Sequence, residues 1–453
     1  MSEILDDIKV LPNGWSFAKI GDMISKEGEF VDGDWVESKD QDEDGDVRLI
    51  QLADIGDGFY RNRSNRFLTF TKAVQLRCTF LEVGDILLAR MPDPLGRCCL
   101  FPGDEKKVVT VVDVCIIRPG TNSVNNYWLM YFINASEFRA QIAALQSGST
   151  RKRISRGNLS TLFLPTPPLP EQHRIVSKLE ELFTKLGVSV AELKKAKAQI
   201  KRYRQSVLKS AFEGRLTNDD VKEVELPEGW RWKSVKEITS ILGDGLHGTP
   251  HYSDDGEFYF INGNNLSDGR IEIKPNTKRV TREEYEKYKK TLNDRTIFVS
   301  INGTLGNTAF YNGEKVILGK SACYFNLIES IDKHFIRYYI TTQRFMNYAN
   351  ETATGSTIKN VSLKAMREFE IPLPPTIEEQ QAIVSEIERH FSVADATEKI
   401  IDQSLKQSER LRQSILKDAF NGKLVPQDPN DEPAEKLLER IKAERAKVTG
   451  PKR

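Results

Sequence analysis

The chain has 453 residues, more than one hydrophobic core usually supports, so two or more domains are expected. Its 66 Lys and Arg nearly cancel its 65 Asp and Glu, leaving a net charge of +1, which speaks against a nucleic-acid binder unless the charge is segregated. It is partly segregated: an acidic tract at residues 40–46 (DQDEDGD) offsets basic groups such as Arg151, Lys152, Arg153 and Arg156. Five cysteines, an odd number that includes the adjacent Cys98 and Cys99, fit a reduced cytosolic protein better than a disulfide scaffold. The opening MSEILDDIKVLPNGW does not read as a secretory signal, and no apolar run approaches a membrane span, so a cytoplasmic location is expected.

In chain order, a first globular segment spans residues 1–170, with its framework opening on Leu11-Pro12-Asn13-Gly14-Trp15. Short strand-like runs (48–52, 83–88, 108–117) alternate with Gly, Asn and Asp turns, which predicts a mixed α+β domain. A proline-rich run at 164–168 leads into residues 171–216, where Ile175, Leu179, Phe183, Leu186, Leu193, Ile200, Tyr203, Val207 and Ala211 recur at helical spacing. This narrow apolar stripe on a charged cylinder is the pattern of a coiled-coil seam. Gly187 is a place where the helix could kink, and Gly214 suits a C-cap.

The second half repeats the first. Residues 226–230 (LPEGW) open a second segment, 217–378, and a proline-rich run leads into a second long helix at 379–424. Its stripe is Ile383, Ile387, Phe391, Ala394, Ile401, Leu405, Leu411, Ile415 and Ala419. Both helices open on Glu-Gln, and they close on the matching phrases RQSVLK and RQSILK followed by Gly214 and Gly422. Each would be roughly 65 Å long, and two such stripes most simply bury each other. Between the helices the segments share anchors. Residues 55–58 match 266–269, 95–96 match 305–306, Trp128 and Tyr131 match Phe335 and Tyr338, and 148–150 match 355–357 (Gly-Ser-Thr). Elsewhere they differ almost completely, which suggests two similar modules aimed at two different targets. After Gly422 a linker leads to a tail, 425–453, whose short amphipathic helix near Leu437, Leu438 and Ile441 needs something to dock on.

Several motifs imitate chemistry. Gly243-Asp244-Gly245-Leu246-His247-Gly248 satisfies G-x-G-x-x-G, but Thr249-Pro250 follows where a dinucleotide site needs a helix start. Gly319-Lys320-Ser321 resembles the end of a phosphate loop at the wrong spacing from Gly313. His247 and His251 lie in a turn-rich loop with no cysteine pair nearby, so no metal site is expected. The chain has no C-x-x-C, G-x-S-x-G or H-E-x-x-H, and it lacks the Asn/Asp-Pro-Pro-aromatic motif of amino-methyltransferases. No catalytic residues are assigned.

Two variable segments opening near L-P-x-G-W, separated by repeated helices with a P-P pair two or three residues ahead of E-Q-x-x-I-V and with R-Q-S-[VI]-L-K-x-A-F-x-G-[RK]-L, resemble the DNA-specificity subunit of type I restriction–modification systems. The resemblance covers essentially the whole chain. It implies two α+β target recognition domains related by a pseudo-twofold and joined by two antiparallel coiled-coil helices. Each domain would read one half of an asymmetric, interrupted sequence in double-stranded DNA, with the helices as spacer. It also implies two methyltransferase subunits and restriction/translocase subunits as partners, docked on the helices and the tail (Leu437, Leu438, Ile441). S-adenosylmethionine, ATP and Mg²⁺ would belong to those partners, and this chain would bind no cofactor. The competing readings are a coiled-coil scaffold with two protein-binding modules and a stand-alone enzyme of nucleic-acid metabolism.

Base readout needs bidentate donors on loops. The first-segment candidates are Arg61, Arg63, Arg90 and Arg97, with Arg151, Lys152 and Arg153 for phosphates; those of the second are His247, Thr249, His251, Asn302, Thr304 and Lys359. The seam candidates are Ile175, Leu179, Phe183, Leu193, Ile200, Val207, Ile383, Ile387, Phe391, Ile401, Leu405 and Ile415. The plain alternative for any exposed arginine is that it is only solvated.

Overall fold

The computed structural model describes residues 11–92, 94–218, 226–355 and 357–447. The opening residues 1–10, used above to argue against a signal, lie outside them, as does Ser356 of the second Gly-Ser-Thr. The chain divides into two compact units, Met1–Glu192 with Ser404–Arg453, and Leu193–Gln403.

The first unit is built from β1 (Ser16–Lys19), β2 (Glu29–Asp32), β3 (Val47–Ile50), β4 (Phe67–Leu68), α1 (Phe70–Gln75), β5 (Ile86–Ala89), β6 (Cys98–Leu100), β7 (Lys107–Thr110) and β8 (Val114–Arg118). Then come α2 (Asn126–Ile133), α3 (Ser136–Leu145), α4 (Arg156–Ser160), β9 (Phe163–Thr166) and the long helix α5 (Leu169–Phe212). Its main sheet is antiparallel in the order β2-β8-β5-β6, and a smaller sheet, β4-β3-β7, pairs β3 parallel to β7. β1 and β9 form a separate ribbon that carries the chain into α5.

The second unit repeats this plan with β10 (Arg231–Ser234), β11 (Thr239–Asp244), β12 (Phe258–Ile261), β13 (Leu266–Ser267), β14 (Arg270–Ile271), β15 (Arg279–Val280), α6 (Arg282–Tyr288), β16 (Thr296–Ser300) and β17 (Thr308–Phe310). It continues through β18 (Val316–Leu318), β19 (Ala322–Leu327), α7 (Lys333–Ile340), α8 (Gln343–Thr352), α9 (Leu363–Glu368), β20 (Glu370–Leu373) and the long helix α10 (Ile377–Phe420). Strand orders β11-β19-β16-β17 and β15-β12-β18 match those of the first unit one for one. The tail forms α11 (Ala434–Ala446).

The repeated phrases have physical causes. Trp15 donates its indole N–H to Glu171 at 2.9 Å, and Trp230 donates to Glu379 at 2.8 Å. Burial pushes the Glu171 carboxyl up, opposed by donation from Gln427 and Trp15. Gln172 accepts from the Asn125 backbone N–H and donates to the Pro167 carbonyl; Gln380 accepts from the Asp332 N–H and donates to the Ser330 carbonyl. In both units the Glu-Gln pair therefore fastens the start of the long helix to the opening turn and to the N-cap of the helix after the main sheet. Both glutamines are almost fully buried, so each polar atom requires its partner.

At the far ends, Gly214 and Gly422 take φ of +74° and +67°, and the N–H groups of Arg215 and Lys423 reach back to the Ser210 and Asp418 carbonyls. These are Schellman closures. A Cβ on Gly214 would lie 2.1 Å from Pro227, and one on Gly422 would lie 2.4 Å from Pro12. Glycine is required twice over, by conformation and by the approach of the proline.

Both long helices are 44 residues and uninterrupted; α5 passes straight through Gly187, which sits on an exposed face. The boundaries fall slightly earlier than the sequence suggests, because Leu169 and Ile377 already belong to the first turns. In the second unit the pairing of the helices is antiparallel. Lys197 bonds Asp402 at 2.6 Å, Arg204 bonds Glu398 and Asp395, and Tyr203 meets His390.

The apolar stripe needs a correction. Ile175 and Leu179 belong to the core of the first unit with Trp128 and Leu164, and Ile383 and Ile387 to that of the second with Phe335 and Ile371. Leu208 and Leu416, off the stripe, are 2% exposed, whereas Leu411, on it, is 49% exposed. Near its ends each helix is covered by a domain rather than by a second helix alone, so its buried face widens and turns. Ile200, Val207 and Ile401 are buried; Phe183, Leu193, Phe391, Leu405 and Ile415 are half-buried. Phe183 and Phe391 occupy equivalent places: each meets a tyrosine edge (Tyr131, Tyr338) on one side and an arginine (Arg412, Arg204) on the other.

The tail helix docks on its own chain. Leu437 and Ile441 are 2% and 1% exposed in the core of the first unit, α11 packs on residues 20–23 and β1, and the Ala434 N–H bonds the Gly14 carbonyl. Leu437 and Ile441 are therefore not available to a partner subunit, and the half-buried Leu438 is packed against the same core.

All five cysteines are free and buried. Cys98 and Cys99 are adjacent in β6 and so face opposite sides of the sheet, one into each of two cores. Burial pushes the Cys78, Cys99 and Cys323 thiols up to about 12, which leaves them inert at neutral pH.

Candidate nucleic-acid interface

In each unit, one end of the main sheet gathers three connections. In the first unit these are the segment after β2, the β5–β6 loop and the loop at 147–153. Gly33 donates to the Val114 carbonyl, Asp34 pairs with Val111, and Trp35 follows, 70% exposed. Arg90 leaves β5, donating to the Val112 carbonyl and pairing with Asp32 at 3.3 Å; Arg156 approaches the same carboxylate at 3.8 Å. The loop 147–153 is a hairpin in which Ser147 pairs with Arg153, and Gly148 has φ +100°, where a Cβ would lie 2.2 Å from the Arg151 carbonyl oxygen. Ile154 then donates to the Arg90 carbonyl, tying this hairpin to the β5–β6 loop. Arg151, Lys152 and Arg153 on it are exposed, and among the described residues none of their side chains forms an ion pair.

The second unit builds the same end with other side chains. After β11, Leu246 pairs with Gly319 and His247 follows, exposed, with its Nε2 against Asp244. Asn302 leaves β16, and its side chain donates to Asn360 at 3.1 Å; Gly303 donates to the Lys359 carbonyl. Thr354 pairs with Asn360, and Gly355 has φ +93°, as Ser147 pairs with Arg153 and Gly148 has φ +100° in the first unit. The Val361 N–H bonds the Ile301 carbonyl as Ile154 bonds Arg90. Beneath these loops Ser321 donates to Asn262 at 3.0 Å and accepts from the Gly263 N–H.

Of the candidates read from sequence, Arg90, Arg151, Lys152 and Arg153 are brought together in the first unit, and His247, Asn302, Thr304 and Lys359 in the second; Thr249 is exposed two residues beyond His247. Lys359 is held by Asn350 at 2.6 Å. His251 lies further along its loop, beside the smaller sheet, where Tyr252 pairs with Val280 and the His251 N–H bonds Glu284. Arg61 and Arg63 sit on a neighbouring loop braced by the buried carboxylate of Asp54, with Arg61 over the Phe59 ring. Arg97 is a correction. It is 4% exposed and donates to the carbonyls of Ile55, Leu52 and Pro94, so its guanidinium holds loops together and cannot reach a base.

Gly243 lies within β11 and Gly319 between β18 and β19, so neither leads into a helix start, and among the described residues no cluster of metal-ligating side chains occurs. Sequence reasoning missed Trp35, Asn262 and Ser321. Trp35 was findable, since it is an isolated tryptophan in a polar Gly-Asp-Trp segment.

The domain family described as type I restriction modification DNA specificity domain matches residues 12–198 and again 227–407. The chain is 30% identical over 365 residues to the type I restriction enzyme EcoBI specificity subunit of Escherichia coli, covering 75% of this chain and 76% of that protein. It is 29% identical to the StySPI specificity subunit of Salmonella potsdam, covering 74% and 75%. Among solved structures, the HsdS subunit from Thermoanaerobacter tengcongensis shares the fold with a TM-score of 0.54 at 18% identity, covering 92% of this chain and all of that one. A chain from a study of type I R-M complex assembly and conformational transition superposes with a TM-score of 0.68, also at 18% identity, with the same coverage. With two matched domains spanning most of its length, this chain belongs to the family of type I restriction–modification specificity proteins.

Proposed function

We propose that the chain is the non-catalytic specificity subunit of a type I restriction–modification complex. Each unit reads one half of an asymmetric, interrupted DNA target, and the long helices set the spacer. The observation that carries this reading is the sheet end built twice on one frame with different side chains: Trp35, Arg90 and Arg151–Lys152–Arg153 in one unit, His247, Asn302 and Lys359 in the other. A constant frame with exchanged loop chemistry is what two independent readers of different sequences require. The near-neutral net charge is compatible, because cations such as Arg118 and Arg204 are paired with carboxylates while Arg151, Lys152 and Arg153 stand exposed together on one loop.

Methyltransferase and restriction subunits are the partners, and S-adenosylmethionine, ATP and Mg²⁺ act on them rather than on this chain. With Leu437 and Ile441 buried internally, docking falls to exposed apolar residues of the long helices such as Val188, Val393, Ile400 and Leu411. The test is methylation mapping of host DNA with this protein present, absent, or carrying an exchanged second unit. A split motif that vanishes on deletion and changes in one half on exchange is expected. A methylation pattern indifferent to the protein would overturn the proposal in favour of a scaffold.

A further inference from the structure

The two sheet ends coincide at one position more closely than the sequences show. In the first unit the segment after β2 makes a parallel bridge from Asp34 to Val111, the residue following β7; in the second, the segment after β11 makes a parallel bridge from Leu246 to Gly319, the residue following β18. The next residue is Trp35 in one unit and His247 in the other. Both rings stand in solvent, Trp35 70% and the His247 side chain 71% exposed. Each has a ring nitrogen engaged by a nearby acid: Trp35 Nε1 donates to Glu37 at 3.2 Å, and His247 Nε2 meets Asp244. Glu37 is itself paired with Lys39 at 2.6 Å. A ring held this way has a fixed orientation but a free face.

Resting on the function proposed above, we propose that this position is the principal base-contacting position of the frame, occupied by Trp35 for one half-site and His247 for the other. An exposed tryptophan lacks a reason in folding, since leaving its large apolar surface in water forgoes the burial that orders other tryptophans. Here it stands at the same sheet end as Arg90, Arg151, Lys152, Arg153 and Arg156, where the Asp32 carboxylate is already taken by two arginines. That setting favours an anionic partner over an apolar protein surface, and with the function proposed above that partner is DNA. With its N–H committed to Glu37, the indole offers an apolar face to a thymine methyl or an unstacked base. His247 keeps Nδ1 for a hydrogen bond to a base edge, so the two units would differ in kind of readout.

The test uses the full complex of this chain with its methyltransferase partner and the duplex found by methylation mapping. Among this chain's five tryptophans Trp15, Trp128 and Trp230 are buried and Trp232 is 38% exposed, so Trp35 is the most exposed emitter of this chain, and the matched Trp35→Phe complex supplies the partner's emission as baseline. Adding specific duplex should quench the Trp35 emission, and the quench should disappear in Trp35→Phe, which keeps a stacking ring. Trp35→Ala should lose roughly 10- to 100-fold in affinity for the specific site and relax preference only in the half-site of the first unit. His247→Ala should relax only the other half. Thermal melting of Trp35→Ala should match the parent closely, since the ring is 70% exposed and its bond to Glu37 is itself in solvent. Unchanged preference in both variants would overturn the proposal, as would quenching on addition of the methyltransferase subunit without DNA, which would make the ring a protein contact. If the parent complex itself prefers no bipartite site, the specificity reading fails instead.

Discussion

Removing the three exposed cations of the first hairpin (Arg151→Ala, Lys152→Ala and Arg153→Ala together) tests the division between positioning and reading. The hairpin is held by backbone pairing of Ser147 with Arg153 and by the positive φ of Gly148, none of which needs the removed side chains. The fold should survive. If each cation meets one phosphate, each contributes about 0.9 to the slope of log affinity against log salt, or about 2.7 for the three. Between about 50 mM and about 200 mM salt that slope corresponds to about 1.6 decades, so the variant's deficit should shrink about 40-fold over the range. Arg90 and Arg156 already share Asp32 and should contribute less. In the second unit Lys359 is held on Asn350, so Lys359→Ala should change the slope by at most about 0.9. The assay is fluorescence anisotropy of the methyltransferase complex on specific duplex at several salt concentrations. A parallel loss at every concentration, with no change in slope, would refute phosphate contact by this hairpin.

Two further outcomes concern the framework. Leu179→Ala and Ile387→Ala each empty a fully buried site in a different unit, and each should cost about 2–5 kcal/mol in chemical denaturation; indifference to both would mean that the helices do not complete the domain cores. Asp34 carries a pH dependence. Burial raises its carboxyl from 3.8 to about 6, against the opposing donation of the Thr79 N–H and Cys78. Because the folded value lies above the unfolded one, this group's favourable contribution is complete below about pH 4 and is lost as pH rises to about 6. Asp34→Asn keeps an acceptor for Thr79, so its stability relative to the parent should climb across that window and then level off. A constant difference from pH 4 to 7 would show that Asp34 titrates normally.

The duplication, the two long helices and the α+β character of each unit were legible in the sequence because they rest on local patterns. Apolar spacing, glycine after a helix and proline before one each declare themselves within a few residues. What the Glu-Gln pair does was not legible. Gln172 and Gln380 act by reaching Asn125 and Asp332, nearly fifty residues upstream, and no spacing rule connects such positions. The stripe misled at Leu411 for a related reason, since periodicity shows that a face is buried but not what buries it. Arg97 and Arg90 look alike in sequence, and only the geometry distinguishes a guanidinium sealed by three carbonyls from one at an open sheet end. The docking of α11 back onto β1 was likewise invisible, because its amphipathic face fits any apolar host.

The location of the fixed contacts explains how the two units can diverge. Trp–Glu and Gln–backbone clamps, the glycine–proline closures and the Phe183 and Phe391 sandwiches all lie where a long helix meets a unit. None uses a side chain from the sheet end that carries Trp35, Arg90, His247 or Asn302. That end is held by main-chain bonds common to both units, such as Ile154 to Arg90 and Val361 to Ile301, and by glycines at positive φ, to which each unit adds side-chain bonds of its own, Arg90 to Val112 in one and Asn302 to Asn360 in the other. Main-chain bonds are indifferent to the side chains they carry. Substitution of exposed side chains such as those of 151–153 therefore changes what is presented without loosening how it is presented, whereas substitution at the clamps would loosen both units' hold on their helices and leave the presented chemistry untouched. An exchange of specificity is accordingly expected to tolerate many simultaneous changes at positions such as 151–153 and few at Gln172 or Gln380.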